Sequence, residues 1–268
     1  MHQDHKQTKQ AGKVILVGAG PGDPELLTLK AVKAIAQADV ILVDDLVNPE
    51  VLQHAREGVR VVQVGKRGGC RSTPQAFIEK LMLAEARAGF CVVRLKGGDP
   101  FIFGRGGEER RHLMEQGVQV DVVSGISSGL AAPASLGIPL THRDWSQGAI
   151  FVTGHGKNAD SNPDWALLAK TGMTLVIYMG VAHCRDIQQA LLVGGMAAHT
   201  PVAVIQSASL ASQAQLITTL EAMAADISAA ALGSPSVIVI GDVVRCADSM
   251  ADARMHADFQ PPAILSQG

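Results

Sequence analysis

Arg94-Leu-Lys-Gly97-Gly98-Asp99-Pro100-Phe-Ile-Phe-Gly104-Arg105-Gly106-Gly107-Glu108-Glu109 is the stretch on which the reading of this chain turns. It continues an apolar run, Cys91-Val-Val-Arg-Leu95, that reads as a strand leaving the core. Five glycines, a proline and two phenylalanines make it longer than the roughly two to six residues of an ordinary strand-to-helix turn. Glycine permits positive φ and keeps backbone amides and carbonyls approachable. A Gly-Gly-Asp-Pro corner at a strand end can therefore wrap closely around a flat ligand.

Outward from this loop, strands alternate with helices. Apolar, β-rich runs recur at Val14–Val17, Val40–Val43, Val61–Val64, Cys91–Leu95, Val118–Val123, Ala149–Thr153, Thr174–Tyr178, Val202–Ile205 and Val237–Ile240. Most are continuously apolar, as expected of strands covered on both faces. Helical patterns separate them at Leu26–Gln37, Pro49–Glu57, Pro74–Ala88, Gly107–Gln116, Ser127–Leu136, His183–Val193 and Leu216–Asp226. Thr73 before Pro74 predicts a helix start, with a capping hydroxyl followed by proline at the first helical position. The pattern is that of an α/β protein. A Gly-Ile-Pro turn and the polar run Leu140–Asp144 predict two α/β domains, residues 14–143 and 144–246, flanked by tails at 1–13 and 247–268.

The 268 residues are 47% hydrophobic and 18% charged, enough for real cores. No apolar run reaches the ~18 residues needed to span a membrane. The first ten residues lack the apolar stretch of a signal peptide, so the expected location is cytoplasmic. Cys70, Cys91, Cys184 and Cys246 form no pair or Cys/His cluster with zinc-site spacing, which predicts free thiols and no metal. Residues 60 to 111 hold eleven Lys/Arg against five Asp/Glu, although the whole chain carries a net charge of -2. A cation surplus beside a glycine-rich loop points to an anionic ligand. Aromatic residues are only 3%, and none interleaves with a basic run, which argues against nucleic acid.

Val17-Gly18-Ala19-Gly20-Pro21-Gly22-Asp23-Pro24 has the look of a dinucleotide-binding loop, with Asp44 and Asp45 about twenty residues on as ribose-binding acids. The third glycine of that fingerprint should occupy position 23, which is Asp23, and Pro21 stiffens a loop that should enter a helix directly. A Rossmann dehydrogenase is therefore disfavoured.

A different resemblance covers almost the whole chain, from Val14 to Arg245. Gly18–Pro24 with Leu26-Leu-Thr-Leu29, Gly65-Lys66-Arg67, Arg94–Glu109, Gly137–Asp144, Thr153-Gly-His155 and Tyr178-Met-Gly180 occur in one order. Together they resemble the tetrapyrrole methylase family. The resemblance implies two α/β domains with a ligand cleft between them, not a Rossmann fold, usually in a homodimer. It also implies transfer of two methyl groups from S-adenosylmethionine to carbons 2 and 7 of uroporphyrinogen III, which yields precorrin-2 and S-adenosylhomocysteine on the way to sirohaem and cobalamin. Two alternatives remain. One is another family member acting on a later corrin precursor or a modified histidine. The other is a noncatalytic S-adenosylmethionine-binding protein.

The same resemblance places Asp44 at the family's proton-acceptor position and Lys66 at the donor position. It assigns methyl-donor contacts to Pro21, Gly97, Gly98, Asp99, Ile102, Ser127, Ser128, Met179 and Ala208. The substrate carries eight carboxylates, and bidentate guanidinium contacts suit them. Arg67, Arg71 and Arg105 in glycine-rich loops, with His142 and Arg143, are the expected partners. The chain departs from the family pattern at Val43, Asp45, Ser124, Ser127-Ser128 and Ala208, and Asp45 alters the electrostatics beside Asp44.

Overall fold

The computed structural model describes residues 12–65, 73–156 and 162–247. They divide into two compact units, residues 12–131 with 207–213, and residues 132–206 with 214–247. The division falls inside a helix at 131/132, earlier than the 143/144 boundary expected from the sequence. The polar run that suggested the later boundary is a turn inside the second unit, closed by His142 and Ser146, each backbone amide donating 2.9 Å to the other's carbonyl.

The first unit is built on five parallel strands, β1 (Lys13–Gly18), β2 (Val40–Val43), β3 (Arg60–Gln63), β4 (Cys91–Lys96) and β5 (Gln119–Val123), in the order β3-β2-β4-β1-β5. In β1, β2 and β4 the continuous apolar runs have the expected cause, since helices cover both faces, whereas the edge strand β3 is largely exposed. On one face Ile15, Val17, Ile41, Val43, Val93 and Leu95 pack on Ala31, Ala34 and Ile35 of α1 (Leu29–Gln37). On the other, Val14, Leu16, Leu42 and Val92 meet Ile78, Met82 and Ala86 of α2 (Gln75–Arg87) and Leu113 of α3 (Gly106–Glu115). The hydroxyl of Thr28 caps α1 by accepting from Ala31 N at 3.1 Å. In α2, by contrast, Pro74 rather than Thr73 is the N-cap, and no side chain caps the helix. The Pro49–Glu57 helix is a 3-10 helix, Pro49–His54, and Pro24–Leu26 forms another ahead of α1.

The second unit holds β6 (Ala149–Thr153), β7 (Thr174–Tyr178), β8 (Pro201–Gln206), β9 (Ala214–Thr219) and β10 (Ser236–Ile240), in the order β6-β7-β10-β8-β9. Only β6 and β7 run parallel. α4 (Ser128–Ala134) joins the units, while α5 (Trp165–Leu168), α6 (Cys184–Val193) and α7 (Met223–Ala229) belong to the second. The predicted helix over Leu216–Asp226 is instead β9 followed by α7. Ile217-Thr218-Thr219 is β-branched throughout, and such side chains are stiff in helices and fit a pleat. The strand pairs with β8 from Pro201↔Thr219 to Gln206↔Ala214, with Gln215 and Ile217 turned outward.

The topology of the first unit dictates where a ligand can sit. β4 runs into α3 on one face, whereas its neighbours β1 and β2 run into α1 and the 3-10 helix on the other. Chains that part at the carboxyl ends of adjacent parallel strands leave a crevice there.

Candidate active site

Three glycine-rich loops meet at the carboxyl ends of β1, β4 and β5. Gly98 N donates to Gly20 O at 2.7 Å, and Gly20 N returns the bond to Gly98 O at 3.2 Å. The Asp99 carboxylate ties two loops together, accepting from Gly125 N at 3.1 Å and from Phe101 N at 2.8 Å. A Cβ on Gly18 would lie 2.5 Å from Gly125 N, and one on Gly125 would lie 2.3 Å from Gly98 O. Glycine is therefore required for the loops to approach one another.

The other predicted donor contacts in this unit gather around the same loops. Pro21 and Ile102 are half-buried, Ser127 is buried, and Ser128 opens α4. Ala208 is buried in the 207–213 segment, which is anchored by Asp23 N donating to Ser209 Oγ at 3.0 Å. Nothing local marks Ser209 in the sequence, since its partner is remote along the chain. Gly97 and Gly98 form the corner, with Gly98 at φ 66°.

Beside these loops lies a network of charges that sequence reasoning did not identify. Asp44 follows β2, and its backbone amide donates to Leu95 O at 3.1 Å, which holds it against β4. Arg94 and Lys96 alternate along β4, so both side chains emerge on the face toward α2 and α3. Arg94, 2% exposed, donates from Nη2 to Asp44 Oδ2 at 3.0 Å and from Nε to Glu109 Oε1 at 3.4 Å. Its Nη1 also donates to the carbonyl of Leu95 at 3.2 Å. Lys96 Nζ lies 3.3 Å from Glu109 Oε1 and 3.9 Å from Asp44 Oδ2. Glu109 sits in the first turn of α3 with no exposure, and Gln75 Nε2 of α2 donates to it at 2.9 Å. Burial pushes the Lys96 ammonium below its ordinary value, Arg94 adds to the push, and Glu109 and Asp44 oppose it. The signal for this network was present in Val92-Val-Arg-Leu-Lys96, where two cations occupy one face of a buried strand.

Asp45 is exposed, and it is its backbone amide that reaches Asp44, donating to Oδ1 at 3.0 Å. Arg105 is the exposed N-cap of α3, in the left-handed region and held by Glu108 at 2.6 Å. Lys66, Arg67 and Arg71 lie outside the described residues. In the second unit, Met179 directly follows β7. His142 stacks on Trp145 with ring centroids 4.5 Å apart, and Arg143 is exposed beside it.

Backbone strain marks several of the same places. Non-glycine residues at positive φ cost free energy and concentrate at functional sites. Among the described residues they include Phe103 (51°) and Arg105 (59°) after β4, Met179 (55°) after β7, and Ser207 (50°) and Ser209 (64°) after β8. Among the described residues, no group of three or more His, Cys, Asp or Glu could hold a metal ion. No helix there is long and apolar enough to cross a membrane.

The first unit gathers glycine loops and a buried charge network at the carboxyl ends of parallel strands, where α/β proteins bind ligands. A family profile described as Tetrapyrrole (Corrin/Porphyrin) Methylases matches residues 13–224, and the chain belongs to that family. It is 55% identical over 235 residues to the uroporphyrinogen-III C-methyltransferase of Pseudomonas aeruginosa, which covers 88% of this chain and 95% of that one. It is 50% identical over 242 residues to siroheme synthase 2 of Aeromonas hydrophila, covering 90% of this chain and 51% of that longer protein. Among solved structures it is similar to uroporphyrin-III C-methyl transferase of Thermus thermophilus complexed with S-adenyl homocysteine. That likeness has a TM-score of 0.75 at 41% identity, over 87% of this chain and 94% of the other.

Proposed function

We propose that the protein transfers two methyl groups from S-adenosylmethionine to carbons 2 and 7 of uroporphyrinogen III, giving precorrin-2 by way of precorrin-1 for sirohaem or cobalamin synthesis. The observation that carries this reading is the match, over nearly the full length of both chains, to an enzyme named for that reaction.

S-adenosylmethionine supplies the methyl group, which an electron-rich pyrrole carbon attacks. The new carbon–carbon bond forms as the methyl–sulfur bond breaks, its electron pair goes to sulfur, and a proton must leave the tetrapyrrole. The loop residues suit the donor. A Cβ on Gly98 would meet Ser127 and Ser128 at ordinary contact distance, the nearest atom at 3.7 Å, so the corner lies against the turn that carries two of the assigned contacts. Pro21 and Ile102 supply apolar walls, and Gly97, Asp99, Ser127, Ser128, Met179 and Ala208 complete the assigned contacts. Holding donor and acceptor in near-attack geometry is worth on the order of 7 to 11 kcal/mol in favourable intramolecular cases.

Asp44 is the assigned proton acceptor. A carboxylate half-exposed at a strand end and gripped from behind by Arg94 presents one side to a substrate. Lys66 is the assigned donor. Arg67, Arg71, Arg105, His142 and Arg143 are assigned to the substrate carboxylates, and Arg105 would exchange Glu108 for one of them. The working form is a cytoplasmic homodimer.

Under anaerobic reducing conditions, the protein with both substrates should yield a tetrapyrrole heavier by two methyl groups. Intact donor binding with no methylated product by mass spectrometry would overturn this reading and leave the two alternatives, a family member with another substrate and a noncatalytic binder. Asp44→Asn should keep S-adenosylhomocysteine affinity and lose most turnover, and undiminished activity would remove Asp44 as the base.

A further inference from the structure

Two of the charges around Asp44 have no part in the chemistry proposed above. The Lys96 and Glu109 side chains are 4% and 0% exposed. A buried ion pair is often no more stable than apolar residues of the same volume. Buried Val92 and Arg94 precede Lys96 on the same face of β4, and a position as enclosed as 96 ordinarily takes an apolar side chain. The chain instead places a lysine there and sets a glutamate against it from α3.

The geometry shows what this pair faces. Arg94 and Lys96 stand between two carboxylates, Glu109, which is closed off from solvent, and Asp44, whose side chain is 35% exposed. Arg94 reaches both acids, at 3.4 Å and 3.0 Å, and Lys96 reaches both at 3.3 Å and 3.9 Å. From α2 the neutral Gln75 donates to Glu109, and beyond β3 the described residues Val64 and Gly65 bring no charge. At the start of α3 the exposed Arg105 interacts electrostatically with Glu109 and with Glu79 of α2, and exposed Asp45 adjoins Asp44 in the chain.

We infer that Glu109 is a positioning residue which, through Lys96 and Arg94, sets the net positive charge that Asp44 meets, and with it the pH above which Asp44 can take the substrate's proton. The inference rests on the reading of Asp44 as proton acceptor. With all four groups charged, the cluster is neutral. Loss of Lys96 leaves two carboxylates to share one guanidinium, and Asp44 then holds a proton more readily. Loss of the Glu109 charge leaves Asp44 facing two cations alone, and it holds a proton less readily. Loss of both restores neutrality as a simple Arg94–Asp44 pair. Burial, then Arg94, lowers the proton affinity of Lys96, and Glu109 and Asp44 are the groups that oppose the loss of its charge.

The test is the pH dependence of kcat/KM with uroporphyrinogen III for the wild type, Lys96→Met, Glu109→Gln, the double variant and Asp44→Asn. The acid limb should move up by about one pH unit in Lys96→Met and down by about one in Glu109→Gln, each a tenfold change in rate at fixed pH on that limb. The double variant should return toward the wild-type limb, and Lys96→Arg, which keeps the charge, should stay close to it. If Lys96→Met does not fold, Glu109→Gln and the neutral double variant still make the comparison. Limbs that coincide in all variants, or that move the same way while turnover falls, would show the pair to be only structural. With Asp44→Asn inactive, that result overturns this inference alone. An active Asp44→Asn overturns the reading of Asp44 and this inference with it.

Discussion

At Glu109 a carboxylate is enclosed completely, and its worth depends on the two cations and the amide that hold it. Glu109→Ala leaves Arg94 and Lys96 only the part-exposed Asp44 as a shared carboxylate, and breaking a buried pair in this way costs about 3 to 5 kcal/mol. Denaturant unfolding should show that loss. Arg105→Ala removes only an exposed pair, and less than about 1 kcal/mol should be lost in the same measurement. Lys96 adds a pH dependence. Its proton affinity is lower in the folded than in the unfolded chain, so the unfolded chain binds more protons between the lowered value and 10.5, and stability rises with pH there. The wild type should therefore gain stability relative to Lys96→Met as pH approaches about 10. A gap that stays constant would show that Lys96 titrates alike in both states. Asp44 was legible in the sequence as an acid at a strand end. Its partners were not, because which side chains touch it depends on the Leu42↔Arg94 register and on where α3 lies.

Among the elements, the glycines of the loops divide by what surrounds them. Gly125→Ala would drive a Cβ into the backbone of the Gly98 corner, where neither side can yield without moving a loop. Overpacking of this kind costs about 1 to 3 kcal/mol. Calorimetry should show S-adenosylhomocysteine affinity at least about tenfold weaker, the equivalent of about 1.4 kcal/mol. Gly107 is the contrast. It lies in the first turn of α3 with nothing within 4 Å of a Cβ, so Gly107→Ala should stabilise the protein by about 0.4 to 1 kcal/mol in thermal unfolding. Element types were legible where the apolar period was clear, as in β1, β2, β4 and α1. β9 was misread because the alternation over Ala214–Thr219 is short and runs on into an alanine-rich helix. The start of α2 was misplaced by one residue, since Pro74 takes the cap position with no side-chain bond.

For the whole molecule, the proposed homodimer predicts a solution mass by light scattering of about twice the 28.0 kDa chain, and a single-chain mass would refute it. The division of the chain is also a whole-molecule property. Residues 207–213 leave β8 and join the first unit through Asp23 and Gly22, whose added Cβ would lie 2.8 Å from Leu210. The sequence by itself determined the α/β class, the glycine loops at strand ends, the family resemblance and the presence of an acid, Asp44, at a strand end. These rest on hydrophobic period, φ freedom and motif order, all local along the chain. Tertiary structure alone decided the strand order, the return of residues 207–213 to the first unit, and the meeting of Asp44, Gln75, Arg94, Lys96 and Glu109. A parallel sheet pairs strands distant in sequence, and the crossover helices choose which face each charge meets.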